Sequence, residues 1–246
     1  MAIISVIFTA FIGQAKAQQT QPLPLQTLAT ALKAFSGTQT VSSITLTAQV
    51  SRTAGSTHET GTATLLAKSD GSGRIDLALD DGSTSEIYAP FRSMQECERI
   101  DKSGRSQSIA VHNCLGAGMW FLPQIVFANA ISNSDLTVIT DTAHASAIVL
   151  RSKYVFNSQT RHLDRLAAVG DRWLYFDPTT NYVSMCVYNR HPEDNGLFNV
   201  EHEVIFTDYH VVDGVAIPFH IEHYVQNQLL LDINVQGAAI NNQSNQ

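Results

Sequence analysis

The sequence predicts a mainly β protein of the α+β class, an antiparallel meander accompanied by a few helices. Three observations carry that expectation. Alternation of apolar and polar residues at period two recurs in run after run, Asp-Gly pairs separate several of the runs, and one amphipathic helical stretch precedes them all. The clearest stretch is residues 203–235 (EVIFTDYHVVDGVAIPFHIEHYVQNQLLLDINV). Here Val204, Phe206 and Asp208 face one way and Ile205, Thr207 and Tyr209 the other. Asp213-Gly214 predicts a type I′ hairpin turn, which needs positive φ at both central positions. Phe219, Ile221, His223 and Val225 share the next face, the chain turns at Gln226-Asn227, and Leu229, Leu231, Ile233 and Val235 line a last one. A sheet with one apolar face needs a cover or a ligand.

Taken in order, residues 22–34 carry Leu25, Leu28, Ala29 and Leu32 at the i, i+3, i+4, i+7 spacing of a helix, extended by Phe35 and stopped by Gly37. Residues 44–50 (ITLTAQV) alternate cleanly, and Ala54-Gly55-Ser56 turns the chain. Runs 59–68, 74–79 and 84–89 continue the meander through turns at Asp70-Gly71 and Asp81-Gly82. Residues 94–111 read as two further strands. The pattern then changes: residues 115–131 (LGAGMWFLPQIVFANAI) are densely apolar without alternation, predicting a short, mostly buried helix beginning near Pro123. Such a segment either plugs the sheet as core or moves as a lid over a lipid-sized cavity. Strands resume at 136–140, 147–154, 172–177 and 181–188, while 162–169 is ambiguous between helix and loop. The tail 241–246 is polar and expected to fray.

The compartment is read from the N-terminus. Residues 3–12 (IISVIFTAFI) form an apolar run too short to span a bilayer, followed by Ala15-Lys16-Ala17, a small-x-small pattern. We expect residues 1–17 to be a signal peptide cleaved after Ala17, and residues 18–246 to form one exported domain, periplasmic or secreted. No later stretch is apolar enough for a transmembrane span. The net charge of −7 disfavours nucleic acid as a partner. In an oxidising compartment Cys97 and Cys114 are expected to pair across the turn Lys102-Ser103-Gly104-Arg105, a bridge worth on the order of 3 kcal/mol. Cys186 is left over as a buried apolar residue.

Catalytic signatures are missing. The chain has no GxSxG, HExxH, GxxxxGK[ST] or GxGxxG, and no CxxC. His202, His210, His220 and His223 gather near the end, but His220 and His223 fall on opposite strand faces, which argues for solvated or edge histidines over a metal site. Asp80-Asp81 and Glu193-Asp194 read as turn formers. No cofactor is expected.

With these residues laid out, the chain resembles the LolA/LolB-like family of periplasmic lipoprotein carriers and its RseB-like relatives. The similar features are the helix at 23–35, the strand ITLTAQV, the strand ETGTATLL, the segment MWFLP at 119–123 and the closing FTDYHVVDGVAIPFHI at 206–221. The resemblance implies a strongly curved antiparallel sheet, an incomplete barrel, with helices over its concave face. It implies a non-enzymatic protein that binds a lipid, an acyl chain or a lipidated protein. The implied cavity lining is Trp120, Phe121, Ile125, Phe127, Phe206, Phe219 and Ile221. A basic gating residue of the carrier type is not assigned: Arg52 and Arg74 are both candidates, and the role is carried over to neither. Two other readings stay open: an envelope-protein scaffolding domain with a self-filled core, and a secreted hydrolase whose carboxylates or histidines meet only in space.

Overall fold

The computed structural model describes residues 24–90, 97–110, 113–114, 119–131, 135–139, 147–153, 171–192, 195 and 198–242. Helix α1 (Pro24–Ser36) leads into β1 (Ser43–Ala54), β2 (Thr57–Lys68), β3 (Gly73–Leu79), β4 (Gly82–Tyr88), β5 (Cys97–Ile100) and β6 (Ser106–Ile109). A 3₁₀ turn (Pro123–Val126) and helix α2 (Phe127–Ile131) follow. The chain continues through β7 (Asp135–Ile139), β8 (Ile148–Lys153), β9 (Arg172–Phe176), β10 (Val183–Arg190), β11 (Val200–Val212), β12 (Val215–Val225) and β13 (Gln228–Ile240). The expected signal peptide, the Glu193-Asp194 pair and residues 162–169 lie outside the described residues.

All thirteen strands join one sheet in the order β6-β5-β4-β3-β2-β1-β13-β12-β11-β10-β9-β8-β7, with every described pairing antiparallel. Strands that pair in space are neighbours in sequence except at the centre, where β1 pairs with β13, Ile44 opposite Ile240. The two edges, β6 and β7, are therefore consecutive in sequence. The chain between them has to pass from one edge to the other, and its described part from Met119 to Phe127 packs on the apolar face. That crossing accounts for the apolar character of Met119 to Val126, whose side chains are buried.

The sheet curls. Glu86 on β4 and Arg190 on β10 are separated by β3, β2, β1, β13, β12 and β11. Flat, such a sheet would hold the two strands about 34 Å apart; instead Arg190 Nη2 lies 3.0 Å from Glu86 Oε2. The result is an open, strongly curved antiparallel sheet with α1 and α2 against its concave face. Leu28, Ala31 and Phe35 bury one stripe of α1, which packs on β12, β7 and α2. Gly37, at φ +61°, ends it by donating to the Lys33 carbonyl at 2.8 Å. Asp213 and Gly214 (φ +48° and +81°) and Gln226 and Asn227 (+48° and +63°) have positive φ, as type I′ turns require.

Where the structure departs from sequence periodicity, local reasons are visible. Asp208 has φ +51° in the middle of β11, which breaks the alternation. Phe206 is buried as expected, but Tyr209, placed by period two on the opposite face, sends its hydroxyl inward to Gln124 and to the Val183 carbonyl. The helix expected from Pro123 starts instead as a 3₁₀ turn, with no side-chain cap at Leu122, and becomes α-helical only at Phe127. Asn241, expected to fray, is pinned. Its side chain accepts from the Ser42 backbone N–H at 2.7 Å and donates to the Thr40 carbonyl at 2.9 Å.

Cys97 and Cys114 form the expected disulfide, with Cα atoms 5.6 Å apart. Cys186 is buried and free, and burial pushes its thiol up to about 11. Among the described residues no helix is long and apolar enough to cross a membrane.

Candidate functional site

A cavity of about 700 Å³ opens between the two arms of the curled sheet. Its apolar lining is Ile75 and Leu77 of β3, Ile109 of β6, Trp120 and Leu231. These positions follow from strand alternation: Ile75 and Leu77 are buried while Asp76 between them points away. Its polar lining is Arg52, Glu86, Arg99, Arg190, His202 and His223, set among the apolar residues: Glu86 lies opposite Ile75, and Leu231 opposite both Arg52 and His223.

Much of the polar lining belongs to a network around Glu86. Glu86 Oε1 accepts from Arg99 Nε and Nη2 at 3.0 and 2.6 Å, and Oε2 accepts from Arg190 Nη2 and, at 2.5 Å, from the Tyr88 hydroxyl. Burial would raise the Glu86 carboxyl, but the Arg190 guanidinium, backed by Arg99 and Tyr88, holds it far below the usual carboxylate range. The Tyr88 hydroxyl accepts from Trp120 Nε1 at 3.0 Å, tying the covering segment to the ion pair. Trp120 in turn packs against His223, ring centroids 4.3 Å apart and planes tilted by 35°. Asn113 and His191 exchange two hydrogen bonds of 2.7 Å, which fasten the chain beside Cys114 to the end of β10. Arg52 donates to Glu59 at 2.7 Å, and Lys102 reaches both Glu59 and Asp81.

The histidines correct a sequence expectation. His202 and His223 are neither solvated nor at an edge: both are buried, with His202 Nδ1 2.9 Å from His223 Nε2. Register explains the meeting, since Tyr188 pairs with His202 and Val204 with His223 on adjacent strands. Only one proton fits between the facing nitrogens. Burial, then the Arg190 charge, lowers His202 to about 3, and burial with His202 and Arg190 holds His223 well below its ordinary value. Both rings are neutral at pH 7. In the unfolded chain they take up protons below about pH 6.5, while folded His202 resists until about 3. The contribution is thus complete above that upper value and is lost as pH falls. Urea unfolding is expected to show a loss of about 2 kcal/mol from His202 alone between about pH 7.5 and pH 5. Glu86 contributes little in that window, since its unfolded carboxyl titrates lower. The dependence should flatten in a His202→Gln, His223→Phe double variant. An equally acid-sensitive double variant would show that other groups carry it.

Of the residues implied as cavity lining, Trp120 lines the cavity. Phe121, Ile125, Phe127, Phe206 and Ile221 are packed into the main core, and Phe219 stacks on half-exposed His210 with centroids 4.3 Å apart. Arg52 lines the cavity, whereas Arg74 pairs with Asp76 on the other face of β3. Sequence reasoning missed Glu86, Arg99 and Arg190. They sit inward on strands at alternating positions, a signal readable only once the register is known. Among the described residues no three His, Cys, Asp or Glu side chains gather as a metal site.

No protein-family model and no curated protein sequence matches this chain. Solved structures do. A LolA superfamily protein from Nitrosomonas europaea is 8% identical, with 90% of this chain and 95% of that one covered at a TM-score of 0.55. A domain named for outer membrane lipoprotein sorting, from Vibrio parahaemolyticus, is 8% identical over 89% of this chain and 93% of its own, at 0.53. A DUF1329 family protein from Desulfovibrio piger is 9% identical over 89% and 94%, also at 0.53. At such identities the likeness speaks for the fold alone: this chain has the LolA-like fold.

Proposed function

We propose that this protein is an exported, periplasmic binding protein that holds a lipid, an acyl chain or the acyl group of a lipidated protein without performing chemistry on it. The cavity carries the proposal. Its volume lies within the range of small-molecule sites, its apolar lining offers an alkyl chain a place out of water, and charged groups stand beside that lining. The disulfide suits an oxidising compartment. The LolA-like fold is shared with a protein named for lipoprotein sorting.

Native mass spectrometry of the protein purified from its own envelope without detergent tests the reading. A co-purifying mass of lipid size is expected, together with uptake of a fluorescent fatty acid. A clean apo mass and no uptake would overturn it. A second reading has its own support. Phe121, Leu122, Ile125 and Phe127 are packed with almost no exposure, so this part of the interior is filled by the chain itself. An envelope-protein interaction domain would need no more than that, and the clean apo mass is its expected result.

A further inference from the structure

We infer that the cavity selects amphiphiles whose acyl chain ends in an anion, a carboxylate or a phosphate, with Arg99 and Arg190 as the headgroup clamp. The inference rests on the proposed reading of the cavity as a lipid site and specifies its ligand.

Charge counting is the first observation. Arg52, Arg99 and Arg190 line the cavity, and Glu86 is the acidic residue among its described lining. Arg52 is already matched outside the lining, because Glu59 and Asp81 together take Arg52 and Lys102. Glu86 by itself answers both Arg99 and Arg190. Neighbouring titratable groups leave the balance unchanged. Burial, with the Glu86 charge, keeps the Tyr88 phenol protonated, burial does the same for Tyr188, and His202 and His223 are neutral. One positive charge is left over, in a protein whose net charge is −7.

Donor counting agrees. Each guanidinium has five N–H groups. Arg99 uses its Nε and Nη2 on Glu86, and Arg190 uses its Nη1 and Nη2 there. The Arg190 Nε is buried without a hydrogen-bond partner. Glu86 is saturated, since its two oxygens already accept from both arginines and from Tyr88. The site thus holds a spare, forked, positively charged edge on Arg99 (Nη1 and the second Nη2 proton) and the second protons of the Arg190 Nη atoms, beside an apolar wall of Ile75, Leu77 and Trp120. A carboxylate or phosphate matches that fork geometrically, and its alkyl chain matches the wall. A neutral headgroup would leave the surplus charge unanswered.

The test compares palmitate, palmitoyl-lysophosphatidate, monopalmitoylglycerol and inorganic phosphate by isothermal titration calorimetry on delipidated protein at low salt. Palmitate and the lysophosphatidate are expected to bind about tenfold or more tighter than the neutral glyceride, with inorganic phosphate far weaker than either. Arg99→Gln is expected to shrink the palmitate-to-glyceride ratio toward one. Glu86→Gln removes the internal rival anion and is expected to enlarge that ratio severalfold, a change that mere loss of structure would not produce. Equal binding of all three lipids overturns the headgroup inference and leaves the lipid reading standing. Phosphate binding as tight as that of the lipids overturns the amphiphile. Binding of none of the three overturns the lipid reading itself.

Discussion

Replacing Arg190 by Leu is expected to destabilise the protein by about 3 kcal/mol, the lower end of the cost of breaking a buried ion pair. The lower end applies because Arg99 continues to hold Glu86 Oε1. Arg190 is largely buried, and its partner sits across the opening of the curled sheet, so the substitution leaves a carboxylate without its strongest counter-charge. Burial then drives that carboxyl up toward protonation. Substituting both residues by Leu should recover most of the loss, because two apolar side chains can pack where two charges had to be paired. Urea unfolding of the wild type, both single variants and the double variant measures the coupling. Additive losses would show that the two side chains do not act as a pair.

Trp120→Ala is expected to cost about 3–5 kcal/mol, the range for a buried large aromatic. Trp120 packs edge-on against Phe121, lies against His223 and donates to Tyr88, so its removal opens a void and takes a donor from the hydroxyl that holds Glu86. Trp120→Phe keeps most of the ring and deletes only the N–H, and about 1 kcal/mol should be lost. Thermal or urea unfolding separates the two variants. The same residue reports on occupancy. The other tryptophan, Trp173, lies on the opposite sheet face among Val149, Tyr175 and Met185, with Arg151 over its ring. A fluorescence change on adding palmitate should therefore persist in Trp173→Phe and vanish in Trp120→Phe. The reverse outcome would place the ligand on the other face.

Much of the fold was legible because strands and turns are local. ITLTAQV, ETGTATLL and the closing meander announce themselves by period two, and Asp213-Gly214 by the backbone that its turn requires. The disulfide was legible for a related reason, since Cys97 and Cys114 flank a short hairpin. Tyr209 was misplaced because one residue, Asp208, adopts positive φ and locally breaks the alternation, which Val212, packed on the core, resumes. His202 and His223 were misread because a strand seen alone does not say which neighbour it pairs with, and their meeting depends on the β11–β12 register.

The sequence by itself determined the strands, their turns, the helix that precedes them and the apolar segment that covers them. Each of these depends on residues a few positions apart. Only the tertiary structure decided the site, because Glu86 and Arg190 are 104 residues apart and become partners only when the sheet curls. Sequence spacing carries no record of curvature. Curvature accumulates strand by strand from twist and packing, and it determines which charges face one another across the cavity.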